Sequence, residues 1–545
     1  MSSTLATRPV PRPRSLRLII VAALIGAFAL LVTSVVAQDG SSPAGHGVTP
    51  VASAAQASRY AEDWVMAAVQ PELRESVRAA MPPDLPIYEI AVTLEPPAES
   101  GDAPSLTGQM TLTYVNTTGE ALETLPFRLF ANGPDADHDA QIVNDVTVDG
   151  AEVEVALSES DSVLEVLFEE PLGVGDEAVV AMGFVSYLPI DSVSHYGIFG
   201  YSSQSDTWAL AHWRPVLAGR DSDTGWHLDH PSRNGDPIFT DTALYDVTVE
   251  SGPDWRLATT GVQFGDTVET GAGMIARRFV SGPVRDFTIV ADEDFEVITA
   301  EIDGITINSW FNPGQDEVGE AVAQYGAQSV EIFGETLSPY PYLEMDLAPV
   351  DMHGAAGSEF PQLMYIGLNY YTSSTDLSTP NDLDLTVAHE VIHQWFYALV
   401  GNNQYTHAYI DEGITNYLAA EVYFQQAYGE GPAGEVVEAY LRAPFERIVG
   451  NDGDVVVDQP TDEFETGRDY VFAAYIKAPL GFEAIRLEIG DEAFFGALRA
   501  YVEDFMFDVA EPDDLLTAFE QSSDVELQDL WDHWFIEPAG DEVVE

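Results

Sequence analysis

From Thr386 to Val400 the chain reads Thr-Val-Ala-His-Glu-Val-Ile-His-Gln-Trp-Phe-Tyr-Ala-Leu-Val, which sets His389, Glu390 and His393 in an otherwise apolar stretch. Apolar residues at helical spacing on every side predict a buried helix. There, imidazoles and a carboxylate without partners would cost several kcal/mol. Residues four apart share a helix face, so His389 and His393 can turn two ring nitrogens to one point, with Glu390 beside it. Two imidazoles on one divalent cation, and a carboxylate placed to take a proton from water on that cation, is the arrangement of zinc hydrolysis. A third ligand is expected at Glu412, nineteen residues after His393. It opens a second apolar-periodic helix through Ile414, Tyr417, Leu418 and Val422, with Asp411 as N-cap and Gly429 as stop. Antiparallel helices joined by the polar loop Gly401-Asn-Asn-Gln404 would bring Glu412 to the histidines and complete a His, His, Glu set with one open position. One zinc ion per chain is the cofactor this implies. A structural zinc would instead close with a fourth protein ligand and has no use for Glu390.

His389-Glu-Val-Ile-His-Gln-Trp-Phe396, with eighteen residues between His393 and Glu412-Gly413, resembles the aminopeptidase N and leukotriene hydrolase family of gluzincin zinc peptidases. Upstream, Ala356-Gly-Ser-Glu-Phe-Pro361 is similar to the family's Gly-Gly-Met-Glu or Gly-Ala-Met-Glu segment, whose Glu binds the substrate's free amino group; the matching position is Glu359. Downstream, Tyr475-Ile-Lys-Ala478 resembles the family's Tyr-x-Lys-Gly, whose Tyr stabilises the tetrahedral intermediate, and Lys477 is the only lysine in the chain. The resemblance implies a peptidase acting on peptide substrates, with Glu390 and Tyr475 catalytic, Glu359 on the substrate amine, and His389, His393 and Glu412 on the metal.

Two departures bear on specificity. Ser358 and Phe360 flank Glu359 where the family has Met and often Asn, and no second partner for the substrate amine is evident in the β region. Endopeptidase or non-peptide hydrolysis in the same pocket therefore stays open beside aminopeptidase action, as does an inactive exported binding module on the same fold. Ala478-Pro479 replaces the family's Gly. Proline suits a first helical turn, so Tyr475 is expected just ahead of a helix through Phe482, Ile485 and Leu487. Many family members continue into a helical domain that roofs the site; the chain ends about ten residues after its last helix, near Phe535, which implies a more open cleft.

The elements that must position these residues read as a multidomain α+β chain. Arg8 to Arg17 holds four arginines, and an uncharged apolar run follows from Leu18 to Ala37. Residues 1–37 are thus expected to be a signal peptide cleaved near Ala37 or a single membrane span, with the protein exported to an extracellular or periplasmic face. Residues 38–57, rich in Gly, Ser, Ala and Pro, read as a linker, and 58–86 as a helical segment. Period-two alternation, as at Met110, Leu112 and Tyr114 or at Tyr245, Val247 and Val249, predicts an N-terminal antiparallel all-β domain over 87–297. Residues 298–545 are expected to form a thermolysin-like, mostly helical catalytic domain, the comparison being carried by the resemblance. Trp226-His-Leu-Asp-His230 does not aim both imidazoles at one point on a loop or strand and reads as structural, and Asn116-Thr-Thr118 is a glycosylation sequon only in a eukaryotic secretory pathway.

Composition narrows the partners. With Lys+Arg 21 against Asp+Glu 91 the net charge is −70, a surface that repels nucleic acid and anionic lipid. It also repels itself in dilute buffer, where the Debye length grows, so adaptation to a saline setting is expected. The chain has no cysteine, which excludes thiol catalysis and Cys-ligated zinc. No protein partner is legible.

Overall fold

Along Ile87–Glu95 alternate residues turn inward, burying Tyr88, Ile90, Val92 and Leu94, and the strand sits at the centre of a large twisted sheet. The computed structural model describes residues 60, 62–97, 102–133, 140–221, 225–228, 232–235, 239–372, 377 and 380–538. The apolar run 18–37, the linker 38–57 and His230 lie outside them. Among the described residues no helix is long and apolar enough to cross a membrane.

The central strand pairs antiparallel with Ser105–Val115, which pairs with Glu177–Tyr187, as the period-two pattern predicts. On its other side it pairs parallel with Ala243–Ser251, which continues antiparallel into Met274–Val284. That parallel pairing departs from the expected all-antiparallel layout. It is feasible because most of the β region separates the two strands in sequence, ample chain for a crossover.

The segment expected to be helical over 58–86 is helical only in part: a 3-10 turn, Asp63–Met66, is followed by turns with one bridge, Val69 to Tyr342, and then a helix, Arg74–Ala80. Its polar groups are spent elsewhere: Gln70 donates from its backbone to Pro341 and from its side chain to the Tyr340 carbonyl, and Leu343 donates back to Ala68.

A second, mixed sheet runs in the order Glu296–Ile302, Ile305–Phe311, Glu344–Val350, Leu363–Gly367, Gly357–Phe360, its first strand straddling the expected 297/298 boundary. Helix α1, Asp316–Thr336, covers it and packs on α2, Asp382–Ile392. The edge strand Gly357–Phe360, which carries Glu359, lies against α2. The β region buttresses this edge: Thr260 Oγ1 donates to Pro361 O (2.8 Å), Gly261 N to Gln362 Oε1 (3.1 Å), and Gln362 Nε2 to Ser281 O (2.8 Å).

Two expected helices differ in detail. The apolar run to Val400 does not stay helical: α2 stops at Ile392 and His393 caps it. Buried Gln394 leaves the helix pattern to donate to Phe360 O and accept from Gln362 N, and Tyr397 takes a φ of 110°. Burial and helix look alike in an unbroken apolar run. Tyr475 does not precede a helix but sits inside a continuous one, Gly467–Phe472 followed by a π turn Ala473–Lys477 and then Ala478–Ile489. Pro479 has no N–H to give the Tyr475 carbonyl four residues before it, and Asn416 Nδ2 donates to that carbonyl instead. Further on, Asp524 closes Pro512–Ser523 in a left-handed conformation (φ 58°).

The sequon residue Asn116 is buried and consumed by its own turn, donating to Glu120 O and Leu172 O and accepting from Thr118. Of the Trp226–His230 pair, His227 packs its ring on Tyr405 (4.7 Å).

A candidate metal centre and its cleft

The N-terminus of α2 is fixed by Asn381, whose side chain accepts from Asp384 N, and two turns later the helix presents His389, Glu390 and His393. Asp411 caps α3, Glu412–Tyr417, by accepting from Glu412 N at 2.8 Å, so Glu412 enters the interior in the first helical turn. The three expected ligand atoms converge: His389 Nε2 to Glu412 Oε2 is 3.1 Å, His393 Nε2 to Glu412 Oε2 is 3.3 Å, and the two Nε2 atoms are 3.2 Å apart. Donors about 2.0–2.1 Å from a tetrahedral zinc lie ~3.3 Å from one another. The donor set fits the ion in chemistry as well. His393 Nδ1 faces the carbonyl of Phe396 at 3.1 Å, and a carbonyl only accepts, so the hydrogen is on Nδ1 and Nε2 of the neutral ring is a lone pair. That lone pair is turned on a carboxylate oxygen, a repulsive contact that a cation between them makes attractive.

Burial pulls the His389 imidazole below its usual pKa against the opposing effect of Glu412, which leaves it neutral, the form that ligates. Burial pushes the Glu412 carboxyl up, but whenever a facing imidazole carries a proton its N–H and charge outweigh that and hold the carboxyl well below the usual carboxylate range. Tyr475 donates its hydroxyl to Glu412 Oε1, and its ring stacks on His389 with centroids 5.9 Å apart. Burial first, then the Glu412 charge, push the phenol well above its ordinary value, so it stays a protonated donor.

Glu390 and Glu359 are both buried and both line the cleft, a cavity of about 480 Å³. Glu390 is pressed against the edge strand: a methyl added at Gly357 would lie 2.3 Å from its Oε1. Ligand-capable atoms of Glu359, His393 and Asp411 also come within 4.8 Å of one another, so two further carboxylates lie close to His393. Five of the six expected site residues therefore line one cavity, and His393, fully buried, lies behind His389 and Glu412.

Several cleft residues went unseen in the sequence. Asn416 contacts His389 and donates to Tyr475 O at 2.6 Å; its place four residues after Glu412, on the same helix face, was the available signal. Tyr370, whose hydroxyl lies 2.9 Å from Thr386 Oγ1, and Tyr440, Val471 and Ile476 line the same cavity from distant segments and gave none. Lys477 faces away from the centre. It is buried, and its ammonium donates to Asp454 Oδ2 (2.7 Å), Val455 O (2.9 Å) and Glu537 O (3.0 Å).

Residues 324–534 match the family model described as the Peptidase family M1 domain. That match covers 211 of the chain's 545 residues. The aminopeptidase N-like gluzincin resemblance seen in His389 to His393 and Glu412 is thereby borne out. Among curated relatives, the chain is 25% identical over 404 residues to Aminopeptidase M1-D of Oryza sativa subsp. japonica, covering 70% of this chain and 43% of that protein. Aminopeptidase M1 of Arabidopsis thaliana is 26% identical over 245 residues, 43% of this chain and 27% of that protein. The chain thus spans less than half the length of these relatives. An M1 zinc metallopeptidase from Deinococcus radiodurans superposes with a TM-score of 0.60 at 18% identity, over 83% of this chain and 93% of that one. A two-domain M1 zinc metallopeptidase bound to L-arginine gives 0.61 at 19% identity, over 83% and 93%. These structures share the fold, an all-β region followed by a helical one.

Proposed function

We propose that this protein is a zinc-dependent aminopeptidase with one zinc ion per chain held by His389, His393 and Glu412. The reading is carried by the convergence of those three ligand atoms at 3.1–3.3 Å in a cleft that Glu390 and Glu359 also line. Zinc bound there supplies Lewis acidity, acidifying a water and polarising the scissile carbonyl. Glu390 accepts the water proton at a carboxylate oxygen and returns it to the leaving nitrogen. Tyr475 turns its hydroxyl from Glu412 to the oxygen on which negative charge develops. Glu359 holds the substrate's α-ammonium by charge, which places the cut after the first residue. Tyr370, Tyr440, Val471 and Ile476 give the cleft apolar walls around this polar floor.

Hydrolysis of free and N-acetylated peptides, with and without a chelator, tests the reading. The free peptide should be cut, the acetylated one resisted, and the chelator should abolish turnover until zinc is restored. His389→Ala should lose metal and activity together, whereas Glu390→Gln should keep metal and lose turnover. Equal cutting of both peptides would replace aminopeptidase by endopeptidase action, and chelator-insensitive turnover would overturn the metal assignment. We further propose that the arginine-rich start and the apolar run 18–37 direct export, as a cleaved signal or a membrane anchor, leaving the peptidase outside the cytoplasm. Protection of a tagged protein from protease added to intact cells would count against this.

A further inference from the structure

We infer that Arg285 is a positioning residue for the metal ligand His393, acting through the strained peptide at Tyr397; this rests on the zinc reading above. Arg285 is 2% exposed, and its donors end on the backbone carbonyls of three distant segments: Nε on Tyr397 O (2.8 Å), Nη1 on Thr240 O (3.1 Å) and Nη2 on Asp508 O. A planar fork suits this task, since its donors leave in fixed directions.

The carbonyl it holds adjoins the one that orients the ligand. Phe396 O accepts from His393 Nδ1, and Tyr397 O, one peptide further on, accepts from Arg285 Nε. The angle between those two carbonyls is set by the backbone of Tyr397, whose φ of 110° is one that side-chain-bearing residues avoid. Tyr397 N to Val400 O (2.8 Å) and Ala398 N to His393 O (2.9 Å) fold the turn back on the end of α2, but neither engages the Phe396 or Tyr397 carbonyl. Loss of the guanidinium removes the restraint on the Tyr397 carbonyl and lowers the cost of a shift toward negative φ, a rotation that re-aims the Phe396 carbonyl away from His393. The backbone is built to admit the arginine: a methyl at Gly401 would fall 2.1 Å from Arg285 Cζ.

A clamp that merely stabilised the fold would act alike whatever residue stood at 397. Glycine adopts positive φ unaided, so Tyr397→Gly should uncouple the ligand from the arginine. The test measures the zinc dissociation constant by chelator competition, and the visible spectrum of the cobalt-loaded protein, in the parent, Arg285→Met, Tyr397→Gly and the double variant. Arg285→Met should weaken zinc by about 10–100-fold, the range seen when the partner of a ligating histidine is lost. In the Tyr397→Gly background the same change should cost less than about 3-fold, while the loss in melting temperature is similar in both. Equal zinc weakening in both backgrounds, or parental affinity in folded Arg285→Met, overturns the inference. If Arg285→Met fails to fold, Gly401→Ala takes its place, with the same expectation and the same refuting result. A parent that binds no zinc, or binds it as well with His389→Ala, would instead sink the underlying site assignment.

Discussion

Gly357→Ala puts the position of Glu390 to a direct test. The added methyl would lie 2.3 Å from Glu390 Oε1, 2.6 Å from its Cδ and 2.7 Å from its Cγ, against ordinary contact distances near 3.5 Å, so something must move by about 1 Å. The strand has little room to retreat: Gly357 pairs with Ile366, and Gln362 and Pro361 just beyond it are tied to the β region. The backbone of Glu390 belongs to a packed helix, so its side chain is what gives way. A misplacement of that size at a reacting group costs on the order of a hundredfold in rate, or ~2.7 kcal/mol of barrier. The three ligand atoms are not touched. Steady-state hydrolysis of an aminoacyl amide, with zinc content by elemental analysis, should therefore show full metal, little change in KM and kcat down about a hundredfold. Added to Glu390→Gln, the same change should cost almost nothing further, since both act on one group. A Gly357→Ala protein with full zinc and near-parental kcat would refute the placement of Glu390 beside the reacting water.

Tyr475→Phe removes one donor to the developing oxyanion and should lower kcat about a hundredfold, ~3 kcal/mol, with zinc retained; an unchanged kcat would remove Tyr475 from the chemistry. Lys477→Met should cost ~3–5 kcal/mol in denaturant unfolding because it strands the buried Asp454 carboxylate, and a loss below ~1 kcal/mol would show that solvent reaches the pair. Burial pushes Asp384 up to about 6 against the hydroxyls of Tyr423 and Tyr428. The unfolded chain releases that proton near pH 4, so between pH ~4 and ~6 the folded state binds more protons and this group's contribution to stability falls as pH rises. The stability of Asp384→Asn relative to the parent should accordingly climb across that window and level off above it, and a flat difference would be inconsistent with the shift. With a net charge of −70, melting temperature and activity should rise with salt; best performance in dilute buffer would dismiss the saline setting.

The convergence of His389, His393 and Glu412 was legible because its information is local. Two histidines four apart on a helix, and a glutamate at the start of the next one behind a capping aspartate, need only helical geometry to be read. The end of α2 was not legible, since Trp395, Phe396, Leu399 and Val400 are as apolar after the helix as Val387 and Ile392 are within it. Tyr475 could be named from its motif but not placed, because a π turn leaves no mark in residue type. Arg285, Gln362 and Gln394 escaped notice for a different reason. Each acts through backbone groups far away in sequence, as Arg285 does on Tyr397, 112 residues on, and a polar residue bonded to a distant carbonyl looks in sequence like any surface polar residue. The β region was recognised from alternation, while the parallel pairing of Ile87–Glu95 with Ala243–Ser251 lies in the connection rather than in either strand.

The burial of Lys477 has a practical consequence. It is the chain's only lysine and 1% exposed, so the folded protein offers solvent no side-chain amine. Acylating reagents that mark lysines elsewhere would find theirs here only when the helix bearing Tyr475 parts from Asp454, Val455 and Glu537. Incorporation of such a label at Lys477 against time, separated from the terminal amine by peptide mapping, would read the opening frequency of the wall beside Tyr475 with no engineering.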